Sequence, residues 1–171
     1  VDPDPATTAD GLTVVINTPS VDPEGSSVSY LYEWQLDGQT QSSYTSNTVP
    51  SSATNKGEQW TVAVTPSDGT TFGASGVDTV TIQNTAPVVT SVSIPNSSNI
   101  YNDSQITCAA TVSDPDETPS VTYEWAFGGS VVATGASLNV STLSAMPMDT
   151  ITCIATAVDG DGETDANSDS A

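Results

Sequence analysis

The sequence has almost no positive charge. Its 171 residues include no Arg, no His and a single Lys, against 21 acidic residues, which gives a formal net charge of −20. A surface of this sign repels phosphate groups, so nucleic acid and anionic membrane surfaces are poor candidates for partners, and we predict neither nucleic-acid binding nor membrane insertion. Without His, neither a His-containing zinc site nor a His-activated nucleophile can form.

Other absences narrow the class further. The chain has no run of 18 apolar residues, so we predict no membrane-spanning helix. It opens at Val1, without Met or a signal-like apolar stretch, which we expect of a processed protein or a fragment of a longer one. Paired carboxylates alone remain for catalysis, and they lie in Gly-rich or Pro-rich turns that water should reach, unlike the acids of hydrolase pockets. We therefore expect a protein that is not an enzyme.

What the chain does contain is an internal repeat. Tyr32-Glu33-Trp34 recurs as Tyr123-Glu124-Trp125, and the stretch from Trp60 to Gly69 recurs in the same register from Ile151 to Gly160. A repeat of this period predicts two copies of one module, each of about 85 to 90 residues.

Each module has the alternating pattern of short β-strands. In the first, Tyr30, Tyr32, Trp34 and Leu36 put large apolar groups on one face of a long strand, so we expect these aromatics in the core. Pro, Gly and Ser turns separate such runs. We predict an all-β fold with two tandem β-sandwich domains, residues 1–83 and 84–171, joined by a short linker.

The second domain shows no clear last strand. Val77 to Ile82 closes the first domain, but the corresponding part of the second is polar and reaches Asp169-Ser170-Ala171. We expect this strand to be missing or to be supplied in trans, which would leave an open edge. The segment from Val1 to Asp10 is a candidate donor, and repeated donation would build a head-to-tail homopolymer.

Two turn motifs carry a resemblance to known proteins. Asp22-Pro23-Glu24-Gly25 and Pro66-Ser67-Asp68-Gly69 look like the tandem immunoglobulin-like and PKD-like repeats of large bacterial and archaeal surface proteins. The resemblance implies that both domains are immunoglobulin-like β-sandwiches and that the protein is extracellular or at the cell surface. It also implies a role in stalks, adhesins, surface layers, fibres or accessory modules of secreted hydrolases.

The order Cys108, Trp125, Cys153 resembles the Cys, Trp, Cys arrangement of immunoglobulin domains. The resemblance implies a disulfide between Cys108 and Cys153 across the core, worth about 3 to 4 kcal/mol in the chain-entropy model, and an oxidising compartment. Two free, buried thiols are the alternative. We expect Ile16 and Val62 at the same positions of the first domain.

Acidic residues collect in the loops that such a sandwich brings to one pole. Oxygen ligands gathered in this way suit Ca²⁺, which could stiffen the chain, and acidic turns without a metal are the alternative. No cofactor is required for the fold. The predicted ligands of the second domain are Asp114, Asp116, Glu117, Asp159, Asp161, Glu163 and Asp165, and those of the first are Asp22, Glu24 and Asp68.

Three Asn residues, Asn96, Asn102 and Asn139, start N-glycosylation sequons, so covalent glycans are predicted. Met146 and Met148 are expected to plug the end of the second core. The function that these features predict is a structural subunit of an extracellular stalk or filament. The alternative is an adhesin or a carbohydrate-binding accessory module.

Overall fold

The computed structural model describes residues 1–95, 97–98 and 100–171, and these residues form an all-β protein. Backbone contacts divide the chain into unit 1, Val1–Thr85, and unit 2, Ala86–Ala171. The division lies two residues beyond the predicted boundary because Asn84 and Thr85 are tied to unit 1. Asn84 accepts a hydrogen bond from Lys56, and the Thr85 hydroxyl bonds that of Thr8 at 2.8 Å.

Unit 1 is a sandwich of a large and a small sheet. The large sheet has the order β1-β7-β6-β3-β4, with β1 parallel to β7 and the other pairs antiparallel, and β2 pairs with β5. The strands are β1 (Ala6–Thr7), β2 (Leu12–Thr13), β3 (Ser29–Leu36), β4 (Gln39–Thr40), β5 (Thr48–Val49), β6 (Gln59–Ser67) and β7 (Gly76–Gln83).

The core of unit 1 is built around two tryptophans. Trp34 and Trp60 are fully buried and meet edge to face with ring centroids 6.3 Å apart. The indole nitrogen of Trp34 donates to the Ser46 carbonyl at 2.9 Å, which removes the cost of burying this polar group. Leu12 and Val49 join the same cluster from the small sheet. The core therefore lies between the two sheets, as the period-two pattern predicts.

Unit 2 has a related arrangement with three sheets where unit 1 has two. Its large sheet has the order β12-β11-β14-β15, while β13 pairs with β9 and β10 pairs with β8, all antiparallel. The strands are β8 (Val88–Ser93), β9 (Gln105–Thr107), β10 (Ala109–Ser113), β11 (Ser120–Phe127), β12 (Ser130–Thr134), β13 (Ser137–Asn139), β14 (Ile151–Val158) and β15 (Thr164–Ser170).

The predicted disulfide joins Cys108 to Cys153, with Cα atoms 6.4 Å apart. Cys153 is fully buried and lies opposite Trp125 in the β11–β14 ladder, and all three residues belong to one core cluster. The bond fits an oxidising compartment. The disulfide is confirmed, whereas the alternative of two free thiols is wrong.

The prediction of a missing last strand in unit 2 is wrong. β15 pairs with β14 from Val158↔Thr164 to Thr152↔Ser170. The strand has no apolar alternation because polar side chains bind the backbone of β8. Asp165 accepts from the Val89 nitrogen at 2.7 Å, and Asp169 accepts from the Ile94 nitrogen at 2.9 Å.

The N-terminal segment is not free to be donated from unit 1. Ala6 is fully buried and pairs with Ile82 in the β1–β7 ladder, and Asp2 forms a bridge with Thr13. Its Pro residues hide the strand pattern, so the sequence alone does not indicate this attachment.

The counterpart of Cys108 is Val14, and the prediction of Ile16 is wrong. The Val14 nitrogen donates to the Asn47 carbonyl at 2.8 Å, as the Cys108 nitrogen donates to the Ala136 carbonyl at 2.9 Å. Val62 lies opposite Trp34 as Cys153 lies opposite Trp125, which confirms the other position. The separation between Val14 and Cys108 is three residues longer than that between Trp34 and Trp125. An alignment based on the tryptophans therefore selects the wrong residue for this position.

Among the described residues, the helices are short 3₁₀ turns, Ser51–Ala53 and Val140–Thr142, and neither is long or apolar enough to cross a membrane.

Candidate metal site

The acidic loops of unit 2 meet at one end of its sandwich. The first follows β10, and the second connects β14 to β15. Ser113 pairs with Val88 at the start of β8, and Val158 pairs with both Ser120 and Thr164. Both loops therefore leave the sheets at the end where β8 begins, as expected for a fold of this kind.

Asp114 folds the first loop. Its Oδ1 accepts from the backbone nitrogens of Asp116 at 2.7 Å and Glu117 at 3.2 Å, the local pattern of an Asx turn. Its other oxygen, Oδ2, is buried and is the one side-chain polar atom in the described part of the chain with this burial and no hydrogen-bond partner. A buried carboxylate oxygen without a donor is costly.

Asp159 folds the second loop in the same way. This residue is 7% exposed, and its Oδ1 accepts from the nitrogens of Asp161 at 3.0 Å and Glu163 at 2.8 Å. Gly162 has φ +87°, a left-handed conformation in which a side chain would be strained. The Asp159-Gly160-Asp161-Gly162-Glu163 run is therefore a tight turn.

Glu117 holds the two loops together. Its Oε1 accepts from the Gly160 nitrogen at 2.6 Å, and a Cβ on Gly160 would lie 2.9 Å from the Glu117 carboxylate. A side chain at position 160 would therefore require the Glu117 carboxylate to shift. The result is a group of three acids, Glu117, Asp159 and Asp161, each with a carboxylate oxygen within 4.8 Å of the others.

The geometry and chemistry of this group suit Ca²⁺. Calcium binds carboxylate, carbonyl and water oxygens at about 2.3 to 2.6 Å, so the ligand oxygens of one ion lie up to about 5 Å apart. The three carboxylate oxygens meet that limit and leave room for carbonyl or water ligands. The donor set consists of hard oxygens, as Ca²⁺ requires.

The other predicted ligands of unit 2 lie outside this group. Asp165 binds the β8 backbone and has a structural role. Asp116 and Glu163 are not among the three acids whose oxygens converge, and Asp114 acts through its turn. The sequence pattern found both loops, but alternate spacing could not tell which carboxylates turn toward one another.

The structure does not bring the predicted acids of unit 1 together into a comparable group within the described ranges. Asp22 accepts from the Ser26 nitrogen at 2.9 Å, and Glu24 is exposed. Asp68 is surrounded by donors: the backbone nitrogens of Thr71 and Thr70 and both their hydroxyls bind its carboxylate at 2.7 to 2.9 Å. These hydrogen bonds, led by the Thr71 and Thr70 nitrogens, hold the pKa of Asp68 far below its ordinary value.

The remaining predicted positions divide by exposure. Asn102 and Asn139 are exposed, and the Asn139 side chain caps a 3₁₀ turn by accepting from the Ser141 nitrogen at 3.1 Å. Asn96 lies outside the described residues. Met146 is 73% exposed and Met148 is 101% exposed, so the prediction that they plug the core is wrong. They lie in the turn before β14, whereas Leu138 and Val140 fill the core.

Each unit is thus a β-sandwich, and unit 2 has a cluster of oxygen ligands at one end. Comparison with known protein families and with curated protein sequences gives no match for this chain.

Proposed function

We propose that this chain is a structural element of an extracellular stalk or filament and has no catalytic role. The observation that carries the proposal is the repetition of one sandwich design in tandem, with the same Trp in the middle of the same strand pair in both units. In arrays of such modules, each added module lengthens the protein by the same amount and uses the same fold. The immunoglobulin-like and PKD-like surface repeats that the turn motifs resemble are built in this way.

The short connector between the units supports a mechanical role, in which the chain transmits tension. β7 ends at Gln83 and β8 begins at Val88, which leaves four residues between them. Two of the four, Asn84 and Thr85, are tied by side-chain hydrogen bonds to unit 1, and Pro87 is fully buried. A connector with so few free residues adds little extension when the chain is pulled.

The exterior and the disulfide support an extracellular location. A net charge of −20 keeps such a surface hydrated and resists non-specific association in salt-rich surroundings. The Cys108–Cys153 bond persists in oxidising compartments. Glycans on Asn102 and Asn139 would extend into solvent, because both residues are exposed.

Calcium is part of the proposal as a stabiliser of unit 2. Glu117, Asp159 and Asp161 would hold the ion by their carboxylates. The bound cation would also offset the buried negative charge of the Asp114 Oδ2 atom on the same loop. When bound, the ion would link the first loop to the second and oppose their separation.

A role as a carbohydrate-binding module has less support. The two tryptophans that could form a sugar platform are used internally: Trp34 and Trp125 are completely buried, and each indole nitrogen donates to a backbone carbonyl at 2.9 Å. The proposal therefore favours mechanical structure over ligand capture.

Electron microscopy of native material tests the proposal. Antibodies against residues 1–171 should label stalks or fibres at regular intervals on the cell surface. Labelling confined to dispersed single molecules in the medium would contradict a structural role. Binding to an insoluble polysaccharide, absent after denaturation, would favour the accessory-module alternative.

A further inference from the structure

Unit 1 has a cavity of about 690 Å³ along the part of β3 that β4 leaves uncovered. Consecutive residues of β3, from Leu31 to Trp34, line it together with the segment 40–45 and with Phe72. Because successive side chains of a strand point to opposite faces, a cavity lined by four in a row runs along the edge of the strand. This edge lies on the opposite side of the large sheet from β1 and is formed inside the unit, by residues 29–45.

The edge is open because β4 is short. β4 has 2 residues, whereas its counterpart β12 in unit 2 has 5. Residues 41–47 then lead away to β5, where unit 2 has only Gly135 and Ala136 between β12 and β13. In unit 2 the Gly135 nitrogen donates to the Tyr123 carbonyl at 2.9 Å. No described residue donates to the equivalent carbonyl of Tyr32, so the ladder stops one position earlier in unit 1.

Two exposed apolar side chains flank the open edge. Leu31 is 52% exposed and Phe72 is 69% exposed, and both line the cavity. The loop that carries Phe72 is well defined: the Thr71 nitrogen and hydroxyl donate to the Asp68 carboxylate at 2.7 and 2.9 Å, and Phe72 forms a bridge with Ser67. An exposed aromatic side chain on an ordered loop is suited to anchor a protein partner.

Glu33 adds a negative charge to the same face as Leu31. One residue separates the two along β3, so their side chains point to the same side, and both line the cavity. The Glu33 carboxylate accepts long hydrogen bonds, from Thr40 at 3.3 Å and from Gln35 at 3.4 Å, and no described residue forms an ion pair with it. A partner that brings a cation to this carboxylate would gain charge complementarity.

We propose that the open edge of β3 binds an extended strand of another protein, aligned antiparallel to residues 29–33 and in line with β4. The backbone of the added strand continues the ladder at Tyr32. An apolar side chain of that strand packs against Leu31 and Phe72. A Lys or Arg two residues earlier in the strand meets Glu33, because Glu33 and Leu31 are two positions apart on one face.

The chemistry of the site favours a different protein over a second copy of this chain. The sequence has no Arg and a single Lys. That residue, Lys56, lies in the turn before β6, and its ammonium group donates to Asn84 at 3.1 Å. The net charge of −20 also opposes the approach of two copies and favours a basic partner. The proposal goes beyond the stalk or filament function and does not depend on it.

Peptide titration monitored by NMR tests this assignment on the whole chain. The probe is the blocked peptide acetyl-Thr-Lys-Val-Leu-Val-Thr-amide, added to ¹⁵N-labelled protein. Its Lys is placed to lie opposite Glu33 and its Leu opposite Leu31. Amide shifts should change at residues 29–33, 40–45 and 72–75 of unit 1, and residues 120–124, the equivalent part of β11 in unit 2, should not shift.

Three control peptides separate the contacts. Glu in place of the Lys, or Asp in place of the Leu, should weaken binding roughly tenfold, because each removes a matched contact and adds a second negative charge. Pro in place of the first Val should also weaken binding, because it lacks the N–H that would donate to the Tyr32 carbonyl. Equal shifts with the probe and with all three control peptides would overturn the proposal.

Matched variants of the protein give a second measurement. Glu33→Gln should remove the preference for the Lys peptide over the Glu peptide, while Glu124→Gln, the same change at the counterpart in unit 2, should leave it unchanged. Phe72→Ser should weaken binding of the Lys peptide roughly tenfold. All three side chains are exposed, so we expect these variants to fold.

The proposal is overturned by an absence of shifts at millimolar peptide, by shifts confined to unit 2, or by equal effects of Glu33→Gln and Glu124→Gln. It is also overturned if raising the protein concentration without peptide perturbs the same amides, since the occupant is then a second copy.

Discussion

Removing the disulfide should lower the stability of unit 2 and leave unit 1 unchanged. The bond closes a loop with a sequence separation of 45, for which the chain-entropy model gives a stabilisation of about 4 kcal/mol. For a domain of this size, 1 kcal/mol shifts the melting temperature by about 4 to 8 °C. The expected loss is therefore roughly 15 to 30 °C for the transition of unit 2.

Unit 1 supplies the substitution that isolates the bond. It has Val14 and Val62 at the positions of Cys108 and Cys153. The double variant Cys108→Val/Cys153→Val keeps apolar side chains at the core positions and removes the cross-link. Reduction of the native chain should give a shift of the same sign, which separates the bond from the packing change.

Differential scanning calorimetry without reductant resolves the two transitions when they differ by more than their widths. Unit 1 acts as an internal standard in every sample. A shift below about 5 °C for unit 2 would mean that the chain-entropy account fails here, for example because the reduced unfolded chain keeps residual structure. An equal shift of both transitions would show that the units unfold together.

Three further predictions concern the carboxylates and the response to force. Calcium at a hundredfold excess over Kd should stabilise unit 2 by about 2.7 kcal/mol and so raise its melting temperature. Asp161→Asn should abolish this rise, and Asp103→Asn should not. Identical melting curves with calcium and with chelator would contradict calcium binding. Burial raises the pKa of Glu58, but hydrogen bonds from Asn55 and Trp60 outweigh it and leave the pKa below the model-compound value of 4.5. Ionised Glu58 should therefore stabilise unit 1 above pH 4.5, and this stabilisation should be lost as the pH falls through the lowered pKa. Glu58→Gln should flatten the pH dependence of the unfolding free energy below pH 4.5, relative to Glu24→Gln. An unchanged slope would refute this. In single-molecule pulling, unit 1 should release about 29 nm of chain when it unfolds, since an extended residue spans about 3.4 Å. Oxidised unit 2 should release only about 14 nm, because the disulfide keeps its loop closed, and about 29 nm after reduction. Equal unfolding steps before reduction would contradict the position of the disulfide.

Sequence pattern was sufficient where apolar residues alternate. The repeat of Tyr-Glu-Trp located the central strand of both units, and the all-β class followed from the runs around it. The cysteine pairing was implied by the resemblance of the order Cys108, Trp125, Cys153 to that of immunoglobulin domains. In each case the structure depends on buried side chains, and burial leaves a hydrophobic pattern that can be recognised in the sequence.

Pattern failed where polar groups make the structure. β15 is held by Asp165 and Asp169, whose acceptors bind backbone nitrogens, and a strand of this kind has no apolar signature. The convergence of Glu117 with Asp159 depends on turns folded by Asp114 and Asp159 themselves. Such geometry arises from side-chain to backbone hydrogen bonds, which residue spacing alone does not specify.

We expect the polar strand β15 to disfavour strand exchange between the two similar units. Neighbouring modules of like sequence are prone to swap strands while they fold. The ladders place Asp169 opposite Cys153 and Asn167 opposite Ala155, and they place Asp78 and Gly76 at the matching positions of unit 1. A swapped β7 would therefore lack the Asn167 amide, which donates to the Val89 carbonyl at 3.2 Å. The Asn167 donor thus distinguishes β15 from β7 as the neighbour of β8, so we expect hydrogen bonding as well as hydrophobic packing to select the correct strand during folding.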